Sequence, residues 1–139
     1  MLPELREGVS IPGISKGIGQ ANINRYAEAS GDFNPIHIDE DYARGTPLGG
    51  TIAHGMLVLA YVSQMMTAAF GRDWLSGGRL DVRFRAPARP GDTISVSGEI
   101  TAVEKDEDHS RVRCEVLCQN QNSEPVLTGV AEVKVKAVT

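Results

Sequence analysis

A chain of 139 residues is long enough to bury one hydrophobic core and too short for two ordinary ones, so residues 1–139 are read as a single domain. Apolar residues at 41% and charged residues at 23% are the balance of a soluble globular protein. A formal net charge of -4 gives no general attraction to nucleic acid or an anionic membrane, and neither is expected as a partner.

The N-terminal stretch MLPELREGVSIPG has neither a basic start with an apolar run nor a small-residue cleavage site, so no secretory signal is read there and the expected setting is the cytoplasm. A strand near Val9 to Ile14 is placed at a sheet edge. From Gln20 to Ala29 the apolar positions Ala21, Ile23, Tyr26 and Ala27 fall near helical spacing, and Ser-Gly-Asp then stops the pattern. The segment Ala53 to Phe70, AHGMLVLAYVSQMMTAAF, is apolar nearly all round, which predicts a helix buried on most sides, about 27 Å long. It is short for a membrane span and holds His54, Ser63, Gln64 and Thr67, so it is read as a core helix.

After residue 78 the pattern changes to strands. In RLDVRFRA, Leu80, Val82 and Phe84 alternate with Asp81, Arg83 and Arg85, the period of a strand with one buried face. RPGD supplies a turn, with Pro90 fixing φ and Gly91 free to take a positive one. TISVSGEITAVE, RVRCEVLCQN and PVLTGVAEVKVKAV follow, joined by KDEDHS and QNSE, and such short polar connections predict antiparallel neighbours. Cys114 and Cys118 share one strand, where four residues span about 13 Å. They are read as reduced, partly buried thiols without metal-ligand spacing to a histidine. An antiparallel sheet that needs a cover and a helix apolar all round satisfy each other in an α+β domain whose sheet wraps the helix.

The chemistry concentrates between residues 32 and 63. Taken alone, Asp32-Phe33-Asn34-Pro35 is ordinary turn chemistry, and His37 beyond it a satisfied or solvent-exposed histidine. A rigid turn, however, also lets Asp32 and His37 point into one cleft with little freedom. An ionised carboxylate and a neutral imidazole together can orient and deprotonate water near neutral pH. The amide of Asn34 can add a hydrogen bond to a substrate carbonyl or to that water. In IAHGM, residues 52–56, Gly55 leaves room for a ligand at the start of the long helix, where unpaired N–H groups can stabilise an oxyanion. The plainer alternative is a glycine that only lets the helix start pack closely. The run Asp39 to Tyr42 is a helix start or solvated turn.

YAEASGDFNPIH (Tyr26 to His37), IAHGM, and VRFRAPARPGDTI (Val82 to Ile94) resemble the MaoC-like or hydratase 2 family, the (R)-specific enoyl thioester hydratases and dehydratases. The similarity runs from about residue 20 to 105, and G-D-x-N-P-x-H is a specific element. The resemblance implies a hot-dog fold, with a homodimer or a dimer with a related hot-dog subunit. It also implies Asp32 and His37 as the catalytic pair, Asn34 as a positioning residue, and the Gly55 N–H polarising a thioester carbonyl. The substrate would hang from CoA or an acyl carrier protein, with no metal and no redox cofactor. Ser63 stands where the family often has a serine. Eight residues of helix rise about 12 Å, so it is given a supporting role rather than contact with the same carbonyl. Where many relatives carry a proline ahead of the long helix, residues 49–51 read Gly-Gly-Thr, which predicts a looser loop. Arg83, Arg85 and Arg89 could meet carrier phosphates, but their alternation is equally that of a solvated strand face, which is the preferred reading. Two rivals are a thioesterase on the same fold and a non-catalytic subunit that only binds acyl chains.

Overall fold

The computed structural model describes residues 2–137. Period-two alternation and helical spacing divide the chain close to where the sequence predicts. β1 (Ser10–Gly17) precedes α1 (Gln20–Ser30) and two short helices, α2 (Pro35–Ile38) and α3 (Glu40–Arg44). The long α4 (Gly55–Phe70) and the brief α5 (Arg72–Gly77) follow, and then β2 (Arg79–Phe84), β3 (Thr93–Lys105), β4 (His109–Gln119) and β5 (Pro125–Lys136). The last strand was expected to reach Val138, which lies outside the described residues.

All five strands form one antiparallel sheet in the order β1-β3-β4-β5-β2, so β1 does sit at an edge. One expected pairing is wrong: β2 and β3 are not neighbours, and β2 pairs instead with β5 at the far edge. The connection between them, residues 85–92, spends its backbone groups elsewhere. Arg85 N–H donates to Val126 O (2.8 Å), Ala88 O accepts from Ala53 N–H (2.7 Å) and Gly91 N–H donates to Ile18 O (2.8 Å). The segment is therefore a crossover pinned to three other parts of the chain. Its turn chemistry is still as expected, with Gly91 at φ +96°.

The inward face of the sheet carries Ile94, Val96 and Ile100 from β3 and Val112, Cys114, Val116 and Cys118 from β4, all buried. α4 packs on β1, β3, β4 and β5 through Val58, Tyr61, Val62, Met65, Met66, Ala69 and Phe70, a stripe at i, i+3, i+4 spacing. Both layers share one core. Two expectations about burial need correcting. α4 is covered on that stripe only, since Met56, Ala60, Gln64 and Ala68 are exposed on its other side, because the sheet of one chain has a single face to offer. On edge strand β2, Leu80 and Val82 are half-buried and Phe84 is 53% exposed, its ring lying against Gly55 at the start of α4 and otherwise open. Cys114 and Cys118 are more deeply buried than expected, at 0% exposure, and remain free thiols. Among the described residues no helix is long and apolar enough to cross a membrane.

Candidate active site

The turn between α1 and α2 is built from successive local bonds. Ser30 ends α1, and Gly31 adopts a left-handed φ of 77° while its N–H returns to Ala27 O, a helix stop that residues with a Cβ rarely make. Ser30 Oγ then accepts from Asp32 N–H (3.2 Å), Asp32 Oδ1 from Asn34 N–H (3.2 Å), and Asn34 Oδ1 from Ile36 N–H (3.1 Å). Asn34 is thus the N-cap of α2 with Pro35 at its first position. Its oxygen is occupied in the cap, so only its NH₂ group remains for a ligand.

α2 carries His37 inward, where it is 8% exposed, while Asp32 stays exposed. His37 Nδ1 lies 2.8 Å from Ile52 O. A carbonyl oxygen only accepts, so Nδ1 carries the hydrogen and Nε2 keeps its lone pair, the form a general base needs. His54 Nε2 lies 3.0 Å from the backbone oxygen of Asp32, so there Nε2 is the protonated nitrogen. The two imidazoles stack, with centroids 3.8 Å apart and planes 24° apart, and Tyr26 leans on His54 at 4.8 Å. One donor atom from each of Asp32, His37 and His54 falls within 4.8 Å of the other two.

That set, a carboxylate and two imidazoles, has the chemistry of a divalent-metal site. Its geometry fits one poorly. His37 Nδ1 and His54 Nε2 are already held by carbonyls, and nearly parallel stacked rings keep their lone pairs in separate planes instead of aiming them at one point. The arrangement suits a base and a carboxylate sharing a water molecule.

His54 is also the N-cap of α4. Its carbonyl accepts from Leu57 N–H (3.0 Å), while the N–H groups of Gly55 and Met56 meet no acceptor among the described residues. They are the free donors of a helix N-terminus. Beside Gly55 opens a mainly apolar groove of about 370 Å³ lined by Leu48, Ile52, Ala53, Val58, Phe84 and Val126. A larger hollow of about 670 Å³ lies on the outer face of the sheet among Asp81, Arg83, Arg85, Glu99 and Glu115. Its charges are of both signs, as on a solvated face, and no helix start or histidine lines it.

Of the residues singled out from sequence, Asp32 and His37 are brought together, with Asn34 in the intervening turn and Gly55 adjoining His54. Ser63 is not brought to them. Its Oγ accepts from Trp74 Nε1 (3.0 Å), which ties α4 to α5. The loop at residues 49–51 is also not loose, contrary to expectation. Thr51 is 2% exposed, its hydroxyl lies 2.7 Å from Gln20 Oε1 and 2.9 Å from Glu40 Oε2, and its N–H donates to Glu40 (3.2 Å). Those bonds from the Thr51 N–H and hydroxyl hold the Glu40 carboxyl below its ordinary pKa. Gln20 Nε2 donates in turn to His37 O (2.7 Å), so the same clamp steadies His37. Arg83 is exposed on β2, as on a solvated strand face, whereas Arg85, just past the end of β2, bonds Thr128 Oγ1 through Nε (2.9 Å) and lines the groove at Gly55, and Arg89 is half-buried in the crossover. Sequence reasoning missed His54, for which a histidine directly before the helix-opening glycine was the available signal. It also missed the Gln20–Thr51–Glu40 clamp, which had none.

A five-stranded antiparallel sheet laid against one long helix, with an acid and an imidazole at that helix's N-terminal end, defines a hot-dog domain with an acid/base cleft. Comparison with known proteins agrees: the family described as MaoC like domain matches residues 4–121. The chain belongs to the MaoC-like domain family. It is 34% identical to a 3-hydroxybutyryl-CoA dehydratase from Methylorubrum extorquens, over 97% of this chain and 88% of that protein. It is 30% identical to an (R)-specific enoyl-CoA hydratase from Aeromonas caviae, over 87% and 89%. An R-hydratase from Pseudomonas aeruginosa, solved in the unliganded form, superposes with a TM-score of 0.80 at 30% identity, covering 99% of this chain and 91% of that one.

Proposed function

We propose that the protein catalyses the reversible hydration of trans-2-enoyl thioesters to (R)-3-hydroxyacyl thioesters. The observation that carries this is the Asp32 carboxylate beside a histidine whose Nδ1–H is fixed on Ile52 O, in a cleft closed by His54 and adjoining the free Gly55 N–H. In this reading the enoyl thioester carbonyl accepts from Gly55 N–H. His37 Nε2 takes a proton from a water held by Asp32, and the hydroxide adds to C3. Negative charge passes to the carbonyl oxygen, where the helix start stabilises it, and a proton returns to C2. Dehydration runs through the same steps in reverse. Asn34 keeps the turn rigid, and the groove at Gly55 receives the acyl chain.

The reading carries with it a substrate on CoA or an acyl carrier protein, a cytoplasmic setting, and residues 1–139 acting as one domain. It also carries a dimer with a second copy or a related subunit, supported by the exposed Met56 and Ala60 on α4 and the exposed Phe84 on edge strand β2. The test is purified protein mixed with crotonyl-CoA, following enoyl absorbance and free thiol together. Loss of absorbance without thiol is the expected result. Thiol release would instead make the protein a thioesterase, and no change with enoyl thioesters of several lengths would leave it a binding subunit.

A further inference from the structure

His54 occupies the N-cap of α4, yet its side chain makes no capping bond. The imidazole turns back toward the α1–α2 turn, where it is 2% exposed. There it donates from Nε2 to the Asp32 carbonyl (3.0 Å), lies 3.8 Å under the His37 ring, and has Tyr26 near it at 4.8 Å. Its other nitrogen, Nδ1, is buried without a partner. A buried polar atom left unpaired is unfavourable, and an apolar ring of similar size would fill the same space without it. Packing alone therefore does not call for histidine here. What only the imidazole supplies is an N–H aimed at the Asp32 backbone together with a flat face under His37.

We propose that His54 is a positioning residue for the hydration reaction, one side chain that sets Asp32 and His37 in register with the Gly55 N–H that follows it in the chain. The proposal rests on the functional reading above. Asp32 is exposed and lies in a turn held mainly by local bonds, so its carboxylate needs an outside reference to stay beside His37. The Nε2–H bond provides one, across 22 positions of sequence. Since His54 also opens α4, that reference is shared with the oxyanion donor.

Three substitutions separate this role from simple filling of space. His54→Phe keeps a ring and loses the N–H. His54→Gln keeps an N–H at the same number of bonds from the backbone and loses the ring, and His54→Ala loses both. With crotonyl-CoA, His54→Phe is expected to lower kcat roughly 10- to 100-fold with KM within about threefold, as misplacement of reacting groups by an ångström does. Its Tm should stay close to the parent's, because removal of the unpaired nitrogen offsets loss of the bond to Asp32 O. His54→Gln should recover most of the lost kcat, and His54→Ala should be the slowest. Parental kcat in His54→Phe, or a His54→Gln no faster than His54→Ala, overturns the proposal, and the second comparison stands even if the Phe variant does not fold. Amide hydrogen exchange gives a readout independent of turnover. The amides of residues 32–34, 36 and 37 should exchange faster in His54→Ala and recover in His54→Gln, and unchanged protection would refute the positioning role. If the parent hydrates no enoyl thioester, the functional reading fails on that result alone, and exchange still decides whether His54 holds the turn.

Discussion

The two halves of α4 are built to different rules. At its start the chain collects polar groups, among them His54, the free N–H groups of Gly55 and Met56, His37, and the Gln20–Thr51–Glu40 clamp, all fixed by directional bonds from separate segments. Further along, Met65, Met66, Ala69 and Phe70 pack on the sheet, and the polar Ser63 accepts from Trp74 Nε1. The contrast teaches that one continuous helix can be a scaffold over most of its length and present unpaired donors at one end. Its first N–H groups have no intrahelical partner, whereas its later ones do.

The contrast is tested most severely by removing the proposed acid or base. Asp32→Asn and His37→Ala should each lower kcat on an enoyl thioester roughly 100-fold or more. The exposed Asp32 should leave Tm nearly unchanged, and a parental rate in either variant would mean that the start of α4 is not reactive.

Adding one methyl group at each end of the α4–α5 unit should then give opposite kinds of result. A Cβ on Gly78 would lie 2.3 Å from Trp74, which is 6% exposed and held by Ser63, so Gly78→Ala should lose about 1–3 kcal/mol in chemical denaturation. A Cβ on Gly55 would lie 3.0 Å from Phe84, whose exposed ring can yield, and alanine favours the helix. Gly55→Ala should therefore keep stability within about 1 kcal/mol while raising KM for longer acyl chains. Ser63→Ala leaves the Trp74 N–H without its acceptor and should lose about 1–3 kcal/mol of stability with a far smaller effect on kcat. A loss confined to kcat would move Ser63 back to the site.

Titration should also separate the two regions. Burial pushes the Cys114 and Cys118 thiols from 9.0 up to about 12. A pKa raised by folding gives stability that is complete below about pH 9 and fades as pH climbs toward 12. Tm should therefore fall on the alkaline side, and less so in Cys118→Ala. Glu40 has the opposite sign. Its lowered pKa contributes stability above its ordinary 4.5 that disappears as pH falls through the folded value, so Glu40→Gln should flatten a small acid limb. Parallel acid limbs for Glu40→Gln and the parent would show that the clamp at Thr51 does not hold in solution.

Much of this was legible in residue order. Ser-Gly-Asp ends α1 because the positive φ that Gly31 adopts is a property of a single residue, whereas residues 35–38 were not read as the short helix α2 that they form. β3 and β4 alternate because neighbouring side chains on a strand point to opposite faces. Asp32 and His37 were legible as a pair because the turn that separates them is local and rigid. Ser63 was read as a supporting residue, but the partner of its hydroxyl was not legible, because spacing along a helix says nothing about which other element it meets. Phe84 was misread because alternation gives a side chain a direction but does not supply the partner that buries it.

The sequence by itself determined α1, α4, the strands and the acid and imidazole of the cleft, since each depends on residues a few positions apart, but not the short helices α2 and α5. Tertiary structure alone decided that β2 leaves β3 for the opposite edge of the sheet. It also decided that Ile52 O sets the His37 tautomer, that Thr51 locks the loop through Gln20 and Glu40, and that His54 lies under His37. Those choices rest on hydrogen bonds and ring contacts between segments 11 to 31 residues apart, or on strand pairings more distant still, and such partners meet only once the sheet and α4 have packed.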